Sequence, residues 1–248
     1  MPEILATPGL GWLVFATCLA GLVRGFAGFG TALIFLPIAG TVLPPVWAIV
    51  TLTVMDLIGP LPTVPRAVRD GHPRDVLRLC AGMAVTLPIG LAVLLSVPPE
   101  LFRYAVSFVT FAMLAALISG WRYRGSVTPP KVYGIGACAG FLGGAAGLPG
   151  PPVILFYMAR PLPASVVRAT LTLFLLIYDA MALGLLTAKG EVTLTPFLIG
   201  AVLIVPNLLA IQVGSAMFHP DRERLYRRIA YTIIAGAALM GLPLWGDI

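Results

Sequence analysis

Arg24 is the residue whose type and setting point most directly to chemistry. It lies inside a long apolar stretch and is followed at once by Gly25-Phe26-Ala27-Gly28-Phe29-Gly30-Thr31. A charge held deep among apolar residues costs several kcal/mol unless it faces a cavity or a partner. Its guanidinium can hold two oxygens of a small oxyanion at once, because its N–H groups form a planar fork. The glycines add a second device. A helix that breaks there and restarts brings free backbone N–H groups, and the positive end of the next helix, to the middle of the apolar layer. Arg24, Gly25, Gly28, Gly30 and Thr31, whose hydroxyl is an added donor, form one candidate anion site. A second run, Gly143-Gly144-Ala145-Ala146-Gly147-Leu148-Pro149-Gly150-Pro151-Pro152, offers Gly147, Gly150 and Pro151 in the same role, proline being tolerated in a helix's first turn. Two plainer readings stand beside these: glycines that only let helices pack closely, and an Arg24 that forms a structural ion pair with Asp56 or Asp179.

Asp56 and Asp179 lie within apolar stretches. A carboxylate placed there can exchange a proton during transport, so each is a proton-coupling candidate; pairing with an arginine or capping a broken helix are the alternatives. Asn207 and Gln212 are further substrate-binding candidates, although such amides also join helices. Arg168 reads as an interfacial anchor and His72 as a solvated loop residue. Cys18, Cys80 and Cys138 lack paired spacing and a nearby histidine, so neither a disulfide frame nor a metal site is expected. No catalytic residue and no cofactor is expected. There is no Ser/His/Asp set and no metal-spaced histidines, and Gly25–Gly30 reads G-x-x-G-x-G without the soluble strand a nucleotide loop needs.

The elements that must position these residues follow from composition. Of 248 residues, 59% are hydrophobic and 10% charged, with a mean hydropathy of +0.98. That is too little charge to cover a soluble domain. Apolar runs of 17 to 24 residues match the ~20 needed to cross a bilayer. The partners implied are the lipid bilayer and a small anionic substrate. The net charge of +6 does not point to nucleic acid, because the arginines sit in short loops beside apolar spans, as membrane orientation requires. The start, Met1-Pro2-Glu3, lacks the basic region of a signal peptide, so the first apolar segment is expected to stay in the protein.

Six ordinary spans are expected at 46–64, 76–97, 104–121, 165–187, 194–217 and 229–245. Two segments, 10–40 and 132–159, are too long for one crossing and are interrupted by glycine or proline, so both are expected to break. Gly21, Gly25 and Gly28 recur as Gly140, Gly144 and Gly147, each 119 residues later. The reading is an internal duplication: a first repeat over 1–125 and a second over 126–248, joined near Arg122–Lys131 in one membrane domain. If each broken segment crosses once, the loop cations divide eight against seven. If each enters and returns on one side, they divide thirteen against two, with only Arg103 and Lys189 in the minority. The positive-inside rule prefers the second arrangement. The fold class expected is therefore an all-α integral membrane protein of two inverted repeats, each a glycine-broken, re-entrant helical hairpin followed by three transmembrane helices.

At its glycine-broken segments the chain resembles the sulfite exporter TauE/SafE family of membrane permeases. The residues that carry the likeness are Gly25–Gly30 with Pro37, and Gly143–Pro152. The resemblance implies a secondary transporter for sulfite, an organosulfonate or a related oxyanion, driven by an ion gradient, in a multi-pass arrangement within a bacterial inner membrane. A passive anion channel is the nearest alternative, and a membrane-embedded enzyme a more distant one. The oligomeric state stays open, a homodimer included.

Overall fold

The computed structural model describes residues 9–61, 64–120, 128–157, 162–217, 219 and 223–244. Among them every regular element is helical. The helices are α1 (Leu10–Ala27), α2 (Thr31–Ala39), α3 (Pro45–Ile58), α4 (Val64–Asp70), α5 (Pro73–Ser96) and α6 (Pro99–Ile118), then α7 (Pro129–Ala146), α8 (Gly150–Tyr157), α9 (Ala164–Ala188), α10 (Leu194–Met217) and α11 (Glu223–Gly241). Five are long and apolar enough to cross a membrane: α1, α5, α6, α9 and α10. The protein is a multi-pass membrane protein of helical class.

The chain forms two compact units. The first comprises Met1–Met55, Pro98–Leu114 and Val192–Ile248; in it α1 packs against α10 and α2, and α2 against α11. The second comprises Asp56–Val97 and Ala115–Glu191; here α7 packs against α5 and α8, and α9 against α4, α5 and α8. Each unit therefore combines a broken segment from one half of the sequence with a long span from the other.

The two main crossings are built alike, position by position. A Cβ added to Gly21 would stand 2.9 Å from the Asn207 carbonyl oxygen and 2.8 Å from the Ala210 Cβ. One added to Gly140 would stand 2.7 Å from the Met83 carbonyl oxygen and 2.5 Å from the Thr86 Oγ1. One turn on, Gly25 faces the Ile211 carbonyl, the Gly214 Cα and the Ser215 nitrogen, while Gly144 faces the Leu87 carbonyl, Gly90 and the Leu91 nitrogen. The glycines differ by 119 in number and their partners by 124 in every case. Backbones approach this closely only where no side chain intervenes, so the packing reading accounts for Gly21, Gly25, Gly140 and Gly144.

Several expected boundaries move, for local reasons. The span expected over 46–64 is a helix only to Ile58. Pro60 lacks an N–H and disfavours helical geometry at Gly59, so the helix stops and α4 begins separately at Val64. The spans expected from 76 and 104 begin earlier, at Pro73 and Pro99, because proline suits a helix's first turn. Positions 62–63, 121, 158–159 and 245 of the expected segments, and loop cations Arg122, Arg124, Arg160 and Arg222, lie outside the described residues.

The early start of α6 corrects one reading. Arg103, expected as a loop cation, is buried within the helix. Its Nε donates to the Gly241 carbonyl at 3.1 Å and its Nη2 to that of Leu242 at 3.3 Å, closing the C-terminal end of α11. The last carbonyls of a helix carry partial negative charge and lack intrahelical donors, which is the environment a guanidinium satisfies.

Candidate functional site

Both long glycine-rich helices end in the same way. Gly28 follows α1 with φ 80° and Gly147 follows α7 with φ 69°, left-handed values that only glycine adopts without strain. The Gly28 N–H donates to the Arg24 carbonyl and the Gly147 N–H to the Gly143 carbonyl, both at 2.8 Å. The chain then restarts as a short helix. α2 has nine residues and α8 has eight, about 12–14 Å each, far short of a ~30 Å crossing. Each packs beside the long helix it follows.

At the first break the expected candidates come together. The Arg24 side chain donates from Nη1 to the Thr31 Oγ1 at 3.2 Å. Arg24 is half-buried and Thr31 is buried. Thr31 opens α2, with Gly30 immediately before it. Here the hydroxyl accepts from Arg24, and its own proton is still there to be donated. The first closed backbone bond of α2 runs from the Ile34 N–H to the Gly30 carbonyl at 3.1 Å. The N–H groups of Thr31, Ala32 and Leu33 thus have no acceptor within the helix. A cation, a hydroxyl and three amide protons collect at one helix start.

The second break differs in both respects. Gly150 opens α8, so Pro151 and Pro152 take the second and third helical positions. Neither has an N–H, and of the first three residues only Gly150 keeps a donor. Pro151, expected as part of an anion site, therefore subtracts from it. Gly143 holds the place that Arg24 holds in the first segment, and Tyr178 of α9 takes up the space beside it. The Tyr178 hydroxyl donates to the Gly143 carbonyl at 2.8 Å, and a Cβ at position 143 would stand 2.5 Å from its ring. Nothing in the sequence singles out Tyr178, because its place beside Gly143 rests on a contact between residues 35 apart in the chain.

The remaining candidates scatter. Asn207 is buried against Gly21 at the α1–α10 crossing, the place of an amide that joins helices. Gln212 is exposed on another face of α10. Asp56 is half-buried near the end of α3, and Asp179 is buried in α9 directly after Tyr178; both belong to the second unit, whereas Arg24 and Thr31 belong to the first. Arg168 is exposed in the first turns of α9, as an anchor would be. His72 is exposed, its backbone N–H donating to the Thr170 Oγ1 at 3.1 Å. Cys18 and Cys138 are exposed and Cys80 partly so, all three as free thiols.

A family model described as sulfite exporter TauE/SafE matches residues 13–241 of the chain, nearly its whole length. No curated protein and no solved structure matches it.

Proposed function

The chain belongs to the sulfite exporter TauE/SafE family of membrane permeases, and on that premise we propose that it is a gradient-coupled carrier of a small oxyanion, sulfite or an organosulfonate, held at the break between α1 and α2. The observation that carries this reading is the Arg24–Thr31 bond. Through it the guanidinium is held at the start of α2. An oxyanion arriving there gains the Arg24 charge, the Thr31 proton and the amide protons of α2 together. Each is a donor, and none needs to be built when the anion binds. Sulfite and sulfonates present several acceptor oxygens on one centre, which suits convergent donors better than a single-point contact.

The hairpin reading is part of the proposal. α2 and α8 are too short to finish a crossing, and each packs beside its preceding helix, as the arms of a re-entrant segment do. With both segments returning to their side of entry, the two halves have opposite orientations. The like-for-like contacts of Gly21 and Gly25 with α10, and of Gly140 and Gly144 with α5, support a duplicated plan. Removing Arg103 from the loop cations leaves Lys189 alone on the minority side, which strengthens the charge asymmetry.

Binding of sulfite, methanesulfonate and acetate to the purified protein, with flux in proteoliposomes, tests the site. Sulfite and methanesulfonate should compete with one another, and Arg24→Ala should lose both binding and flux. Undiminished sulfite flux in Arg24→Ala would remove the site from this break.

A further inference from the structure

Ser107 and Thr110 on α6 are fully buried, and neither hydroxyl has a hydrogen-bond partner among the described residues. Six outward-facing hydroxyls (Ser96, Ser119, Thr172, Thr187, Ser215 and Thr232) donate back to a carbonyl three or four residues earlier. Three buried threonines find partners on other elements. Thr51 donates to the Pro196 carbonyl at 3.3 Å, Thr170 accepts from the His72 N–H, and Thr31 accepts from Arg24. Ser107 and Thr110 do neither, although back-donation to α6 needs only a rotation about χ1. An unmet hydroxyl in an apolar interior is costly, and two of them one turn apart on one face form a feature that must be accounted for.

Their spacing suggests a common partner. Residues three apart on a helix have Cβ atoms about 5–6 Å from one another, close enough for one small group to accept from both hydroxyls. Arg103 lies on the same face, one turn before Ser107, and is itself buried. A positive charge there disfavours a cation between the hydroxyls and favours an acceptor with negative charge. All three residues belong to the first unit, which also holds Arg24 and Thr31.

We propose that Ser107 and Thr110 form a second holding point for the transported oxyanion, an interior polar step beyond the Arg24–Thr31 site. This rests on the reading of the protein as an oxyanion carrier. It assigns the hydroxyls to passage, while Arg24 supplies the primary affinity. If they served packing alone, removing them would relieve two unmet polar groups and leave transport as it was.

The test uses the full chain in proteoliposomes, with sulfite as the probe. Ser107→Ala and Thr110→Val, singly and together, should lower sulfite flux, about tenfold for the pair, a loss of transition-state stabilisation rather than of folding. Thermal stability in detergent should be equal or higher. Exchanging the hydroxyl carriers, Ser107→Thr with Thr110→Ser, should restore flux. Flux at the parent level in both single variants and in the pair overturns the proposal and leaves the hydroxyls as packing groups or hosts for a buried water. If the pair fails to fold, the single variants decide. Arg24→Ala measured alongside separates the two ideas: lost flux there with full flux in the hydroxyl variants sinks this inference alone, whereas full flux in Arg24→Ala sinks the carrier site on which it rests.

Discussion

Arg24 and Gly143 accept the same hydrogen bond in the two broken segments, each from the left-handed glycine four residues on, and each at 2.8 Å. The backbones therefore match while the side chains diverge completely. Arg24 projects a guanidinium onto Thr31; Gly143 projects nothing, and Tyr178 fills the space. Of the two breaks, only the first therefore presents a cation at this position.

Replacing Arg24 by Lys keeps the charge and removes the planar fork. Anion affinity should fall by about tenfold, ~1.4 kcal/mol, while the folded protein persists. Equilibrium binding of sulfite and thermal stability, measured on one preparation, check both halves of this expectation. Parent affinity in Arg24→Ala would make the residue structural.

The glycine crossings give a stability prediction with its own control. A side chain at Gly25 or Gly144 would meet the backbone of α10 or α5, neither of which can retreat as the end of a flexible side chain can. Gly25→Val and Gly144→Val should each destabilise by about 1–3 kcal/mol or more through overpacking. Gly134, on α7, has open space where a methyl group would stand, with nothing within 4 Å. Gly134→Ala should be neutral, or stabilising by up to about 1 kcal/mol from helix propensity. Melting temperatures in detergent decide; equal losses at all three positions would mean that close approach is not what the glycines provide.

What the sequence disclosed and what it hid divide along a physical line. The breaks were legible because glycine and proline act locally, through φ and the missing N–H, and so were the long apolar helices. The partners of those helices were not. That Gly25 meets Gly214 and Gly144 meets Gly90 depends on contacts between residues far apart in sequence. Arg103 falls in a loop if the span begins at Tyr104, whereas Pro98-Pro99 marks the helix start that puts it inside. Tyr178 and the Ser107–Thr110 pair were invisible for another reason. Their significance lies in which carbonyls their hydroxyls reach or leave alone, and residue type does not encode that.

Orientation can be read with single cysteines in a background where Cys18, Cys80 and Cys138 are replaced. Positions 69 and 227 are both exposed, on α4 and α11, and re-entrant segments place both on the cytoplasmic side. An impermeant thiol reagent applied to intact cells should label neither, and both should react after permeabilisation. Labelling at 227 but not at 69 would show that the broken segments cross completely.

Coupling is the last expectation, and it turns on Asp56 and Asp179. Asp179 is buried directly after the tyrosine that braces the second break, and Asp56 stands half-buried where α3 ends. A carboxylate that faces the anion's route repels the anion when ionised and admits it when protonated, so the anion and a proton move in the same direction. The sign follows: anion affinity is full below the pKa of the coupling group and declines as pH rises through it. Asn mimics the neutral acid. Replacing the coupling aspartate with Asn should therefore keep binding at low pH, remove its decline at high pH, and abolish accumulation driven by a pH difference. Exchange of labelled for unlabelled anion should survive, because it needs no net proton movement. Proteoliposomes with an imposed pH gradient distinguish these outcomes for Asp56→Asn and Asp179→Asn. Should both variants still accumulate sulfite against its gradient, neither carboxylate is the coupling site, and coupling rests on another group or another ion.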